Sequence, residues 1–189
     1  GVPLTSRDAV VLMSGAAADT GPARRVVLGE DVSLFVTPAR LRQTLERLHP
    51  GVARLAVLGS SGDWAGAAAE VVAVADAHGL LEARCDAVLI PDDPAVLRHA
   101  ESVLRAAEQA GVPAVTTAPW LARASCAMGV VPDLDAAALQ LVGRLEGSAA
   151  AVPAVPTETT VHLDGWRRTG LALRPDRMAW AHRVYGVTP

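Results

Sequence analysis

The run CDAVLIPDDPAVLRHAESVLRAAEQAGVPAVT, residues 85–116, decides how this chain folds. Ala87–Ile90 is a short, wholly apolar stretch of the kind that fills a strand buried on both faces. Asp92-Asp93-Pro94 then opens a helix, with an aspartate as N-cap and proline in the first helical turn. Val96, Ala100, Val103, Leu104 and Ala107 recur at spacings of 4, 3, 1 and 3, which lays one apolar stripe along a helix over 94–110. Gly111 ends it as a C-cap, and Val112–Thr116 reads as the next strand. Strand, helix and strand in that order define a parallel crossover, so the expected fold is α/β, a parallel sheet with helices on both faces.

The same alternation extends both ways. Upstream, Val52–Leu58 is a strand, followed by the loop Gly59-Ser60-Ser61-Gly62-Asp63-Trp64 and an Ala/Val-rich segment read as a helix over 64–78, ending at Gly79. Thr37-Pro38 starts a helix whose stripe is Leu41, Leu45 and Leu48, stopped by Pro50-Gly51. Val32–Val36 reads as a short strand, residues 16–31 as irregular, and Ala9–Met13 as a strand ending at Ser14-Gly15. Downstream come a strand at Cys126–Val131 and a helix at Leu134–Leu145, with Leu134, Ala138, Leu141, Val142 and Leu145 on one face. Residues 148–156 (SAAAVPAVP) form a flexible connection. Thr159–Leu163 is a strand, Asp164 an N-cap, and Pro175–Val184 a last short helix.

Composition narrows the function. Apolar residues make up 51% of the 189 and charged residues 20%, enough for a sizeable core and unlike a disordered chain. A formal charge of −3 gives no electrostatic footprint for nucleic acid. All 17 basic residues are arginine, which rules out chemistry that needs a lysine. No apolar run is long enough for membrane insertion, and GVPLTSRD at the start has no signal-peptide pattern. Cys85 and Cys126 edge apolar runs and read as buried free thiols rather than a disulfide. No His, Cys or carboxylate spacing suggests a metal ligand set or a catalytic triad, and no cofactor is implied.

Four segments, taken in order, resemble the substrate-binding proteins of ABC transporters whose better-known members carry aromatic amino acids. They are PGVARLAVLGSSGD (50–63), CDAVLIPDDPAV (85–96), AGVPAVTTAPWLARASCAMGVVPDLDAAALQLVGRLEG (110–147) and TTVHLDGWRRTGLALRPDRMAWAHRVYG (159–186). The fold this resemblance implies is type I periplasmic-binding-protein-like, with two α/β lobes. It places a first-lobe remnant and crossover at 1–36 and a second-lobe domain at 37–125. A first-lobe return strand, helix and linker follow at 126–156, and a second-lobe segment at 157–189. It implies a small-molecule ligand, an ABC transporter permease as partner and a periplasmic or extracellular location. The sequence departs from the family in its short first lobe and in the brief LLEAR between Gly79 and Cys85, where a strand is expected to be missing. His162 also replaces the family's asparagine.

In an open α/β sheet, ligands gather at the C-terminal strand ends, where loops and helix N-termini offer free N–H groups. Three such ends are polar, and the candidate ligand rim is Ser60, Ser61, Trp64, Asp92, Thr116, Thr117 and Trp120, with Ser14 facing them from the first lobe. Either tryptophan would stack on the flat part of a solute, and hydroxyls would orient its polar head. The competing reading for Asp63 and Asp93 is helix capping alone. As an alternative function, Gly59–Gly62 would cradle a phosphate in a small Rossmann-like enzyme, though no third glycine and no lysine support it. A ligand-sensing domain of a regulator is a third reading, for which no DNA-binding or signalling segment is visible.

Overall fold

The computed structural model describes residues 9–13, 24–28, 34–146 and 155–186. The chain divides into two compact units: residues 1–35 with 132–156, and residues 36–131 with 157–189.

In the first unit, β1 (Ala9–Met13) pairs in parallel with β2 (Arg24–Leu28). The helix α6 (Leu134–Leu145) packs beside β2, and Ala137, Leu141 and Leu145 close on Leu34 and Val155. Residues 24–28, read in sequence as irregular, are thus a strand. The short strand expected at 32–36 is not formed in its described part, Leu34–Val36.

The second unit is a seven-stranded sheet. In chain order its strands are β3 (Arg54–Leu58), β4 (Glu70–Val74), β5 (Ala87–Ile90), β6 (Ala114–Thr116), β7 (Met128–Pro132), β8 (Thr157–His162) and β9 (Arg183–Tyr185). Their order across the sheet is β4-β3-β5-β6-β7-β8-β9. β3 pairs in parallel with β4 and β5, β5 with β6, β6 with β7, and β8 with β9. β7, assigned in sequence to the return into the first lobe, here hydrogen-bonds into this sheet beside β6.

Side chains alternate between two cores, as a pleated strand requires. Leu55, Val57, Ala87, Leu89 and Val115 point to one face. There they meet Leu41, Leu45 and Leu48 of α1 (Pro38–Leu48) and Trp166 of α7 (Leu163–Arg168). Ala56, Leu58, Val88, Ile90 and Ala114 point to the other. That face is covered by Leu80 of α2 (Ala77–Ala83), Val103 and Ala107 of α4 (Ala100–Ala110), and Leu121 of α5 (Pro119–Ala124). Helices on both faces of a largely parallel sheet match the expected fold class.

Several local expectations hold. The Thr37 side chain accepts from the Arg40 N–H at 3.3 Å, and Pro38 occupies the first turn of α1. Asp93 accepts from the Ala95 N–H at 2.8 Å and opens α3 (Pro94–Leu97), while Gly111 adopts φ +67° and closes α4. Cys85 and Cys126 are free and buried.

Others are corrected. The helix expected over 64–78 does not form: Gly62–Trp64 make a 3₁₀ turn, and the chain then runs as edge strand β4 into α2. Val71, Val72 and Val74 are β-branched and gain more from pairing with β3 than from a helix. Between Gly79 and Cys85 the chain completes α2, and no strand forms there, as expected. The single helix over 94–110 is broken at Arg98 and His99 into α3 and α4. The last expected helix is only α8 (Pro175–Met178); residues 179–182 are a turn and bend, and Arg183–Val184 belong to β9. His162, not Asp164, caps α7: its Nδ1 accepts from the Gly165 N–H at 3.3 Å.

Candidate functional site

The strands β3, β5 and β6 are neighbours in the sheet, so the loops that leave their C-terminal ends lie side by side. Gly59 turns the chain out of β3 at φ +92°, and its N–H donates to the Val74 carbonyl at 2.9 Å. A Cβ on Gly59 would stand 2.8 Å from Val96 Cγ2, so this loop rests directly on α3. Only glycine meets both demands, the left-handed backbone and the close approach. Ser60 is exposed, with its Oγ accepting from the Gly62 N–H at 3.4 Å, and Ser61 is half-buried.

The next two loops are pinned to each other by threonines. Thr117 Oγ1 accepts from the Asp92 N–H at 2.9 Å, which joins the loop after β6 to the loop after β5. Thr116 Oγ1 donates to the Ile90 carbonyl at 2.8 Å and accepts from the Ala118 N–H at 3.0 Å. Both threonines are buried, so they brace the rim rather than present it. The Asp92 side chain stays exposed beside them, and partial burial of its carboxyl, then the neighbouring Asp93 carboxylate, push its pKa up.

The two tryptophans part company. Trp120, in the first turn of α5, is 54% exposed. Trp64 is only 5% exposed, because the 3₁₀ turn swings its indole into the core with Leu41, Leu45 and Leu55. It is a core residue and offers no ring to a solute. Ser14 lies outside the described residues. The outward-facing set at these strand ends is thus Ser60, Ser61, Asp92 and Trp120, supported from beneath by Thr116 and Thr117.

His162 was noted in sequence only as a departure, and it ends β8 on the same C-terminal side of the sheet. Its ring is 8% exposed and sits under Gly186, whose φ is +73° and whose added Cβ would come within 3.0 Å of Nδ1. Burial lowers its pKa; Asp164 raises it and Arg168 lowers it further, so the net direction is down. A neutral imidazole is what the cap needs, since Nδ1 must keep its lone pair to accept from Gly165. Capping and close packing depend on tertiary neighbours, and no sequence spacing signals them.

The phosphate-cradle alternative finds no support in the local geometry. A mononucleotide site places its glycine-rich loop at the N-terminus of a helix. Here the glycine loop runs into a three-residue 3₁₀ turn and then into β4. A cavity of about 110 Å³ lined by Arg42, Leu45, His49, Gly51, Val52 and Ala67 opens at the opposite, N-terminal ends of β3 and β4. Among the described residues no three of His, Cys, Asp and Glu converge as a metal site, and no helix is long and apolar enough to cross a membrane.

No protein-family model matches the sequence, and no curated protein matches it. Solved structures do. A conserved domain protein from Vibrio cholerae superposes with a TM-score of 0.63 at 15% identity, over 85% of this chain and 63% of that one. An ABC domain from Streptococcus pneumonia in complex with L-Trp gives 0.59 at 16% identity, over 87% and 63%. The ligand-free, open structure of a substrate-binding protein with adhesive properties from Clostridium difficile gives 0.60 at 13% identity, over 85% and 62%. The chain therefore has the fold of substrate-binding proteins, and it spans somewhat less than two thirds of the length of each.

Proposed function

We propose that this chain is the solute-binding component of an ABC importer, which holds a small molecule reversibly and performs no chemistry on it. One observation carries the reading: three adjacent strand ends of a parallel sheet bring exposed Ser60, Asp92 and Trp120 together on one edge, braced by buried hydroxyls. A braced rim with free polar groups and one open indole suits recognition of a small amphipathic solute. Two neighbours in fold are a substrate-binding protein and an L-Trp complex, and both support this reading. An amino acid or related compound is the proposed ligand class, a permease the proposed partner, and the periplasm or cell exterior the proposed location. The 3₁₀ turn after Gly59–Gly62 weighs against the phosphate-cradle enzyme.

Tryptophan fluorescence during titration with L-tryptophan, other amino acids and small amines tests the proposal. The expected result is a saturable change with at least one of these solutes that Trp120→Ala abolishes while the melting temperature is unchanged. No saturable binding by calorimetry across the panel, or binding indifferent to both Trp120→Ala and Asp92→Asn, would overturn it.

A further inference from the structure

Away from the strand-end rim, the C-terminal half of α1 meets the segment between α8 and β9. The Arg47 guanidinium lies over the Trp180 ring at 4.4 Å, yet Trp180 stays 54% exposed. Arg40, Thr44, Arg47, Leu48, Thr159 and His182 share with Trp180 a shallow recess of about 10 Å³, the size of one water. His182 accepts from the Thr159 N–H through Nδ1 at 2.9 Å, so its own N–H is on Nε2.

Among the described residues no carboxylate lines this recess. Acids around it are engaged: Glu46 with Arg42 at 2.8 Å, Asp176 with Arg174 at 3.0 Å, Glu158 with Arg183 at 2.8 Å, and Asp86, near His49, accepts from the Ala53 and Arg54 N–H groups at 2.9 and 2.8 Å. Arg40 is held by Thr157 and Gln43, and Arg177, on α8, adds a further positive charge near His49. Among the described residues, Arg40, Arg47 and Arg177 have no carboxylate partner. In a chain of net charge −3, that is a local excess of positive charge around an open indole. Arginine and tryptophan are the residue types that anchor protein interfaces most often.

We propose that this face is a docking surface for a partner protein that presents an acidic segment, with its carboxylates lying against Arg40 and Arg47 and an apolar neighbour lying on Trp180. Charge complementarity then sets orientation and encounter rate more than affinity.

The probe is an acetylated hexaglutamate peptide with one N-terminal leucine, titrated into the isotope-labelled full chain at low salt. Saturable shifts of the Trp180 indole and Arg47 Nε–H signals are expected, with none from hexalysine. Arg47→Ala should weaken the apparent affinity about fivefold, the upper range for an exposed ion pair, and added salt should do likewise. Arg47 is exposed, so an unchanged melting curve checks that the variant is folded. Shifts scattered over the whole surface, or shifts unaffected by both Arg47→Ala and Trp180→Ala, would overturn the proposal. So would tighter binding to phosphatidylglycerol vesicles than to the peptide. Self-association abolished by Arg47→Glu would also overturn it, replacing the partner with a second copy.

Discussion

Replacing Thr116 by valine keeps its shape and removes one oxygen. That oxygen is fully buried, donates to the Ile90 carbonyl at 2.8 Å and accepts from the Ala118 N–H at 3.0 Å. Ile90 O also receives the Thr117 N–H at 3.4 Å, so it retains a partner. The Ala118 amide has no other described acceptor, and Ala118 is fully buried. Leaving a buried amide unpaired costs about 1–3 kcal/mol, so Thr116→Val should destabilise the second unit by about 2 kcal/mol. Thr116→Ser keeps both hydrogen bonds and loses one buried methyl, worth about 0.8 kcal/mol. The expected order in urea denaturation is therefore wild type, then serine, then valine. If packing volume mattered more than the two hydrogen bonds, valine would be the milder change, and that order would refute the argument.

Two further outcomes follow from backbone contacts and from protonation. Gly165→Ala would place a Cβ 2.7 Å from the Ser125 carbonyl and 2.8 Å from the Ala127 amide, backbone atoms that cannot swing aside. A loss of about 3 kcal/mol is expected in the same denaturation assay. The His162 pKa is depressed in the folded state, so the unfolded chain binds more protons as pH falls through the ordinary imidazole range. Stability should be full above that range and decline below it. His162→Asn, which can still accept from the Gly165 N–H, should flatten the decline, leaving the share due to His49, whose pKa burial also lowers.

What sequence could read was whatever local chemistry settles. The apolar stripe ending at Gly111 and the Thr37-Pro38 and Asp93-Pro94 starts appear where the pattern places them, since capping acts within one turn. The edge strand β4 was missed because AGAAAEVVAV is rich in alanine and half-exposed. Neither a continuous apolar run nor a clean alternation marks it. α5 is a six-residue helix between two strands, too short to show a period. The polar loops at the strand ends were legible, because strand direction alone decides which loops share an edge. The orientation of Trp64 was not, because a 3₁₀ turn and partners on α1 decide it, the nearest of them more than ten residues away. Thr116 and Thr117 hold strand ends together through hydroxyls, a role identical in sequence to ligand contact.

The second unit is interrupted by the first: its chain leaves at Pro132 and comes back at Thr157. During synthesis, β7 leaves the ribosome with β6 already in place on one side and nothing on the other. Its residues Met128–Val131 are all buried in the finished protein, so until residues 157–162 emerge it is a bare hydrophobic edge. At ribosomal rates of about 5–20 residues per second, that exposure lasts on the order of seconds. Such an edge is a template for pairing with the wrong chain. The interruption thus creates a window in the life of each molecule when shielding by a chaperone would protect the fold more than any contact in the completed sheet.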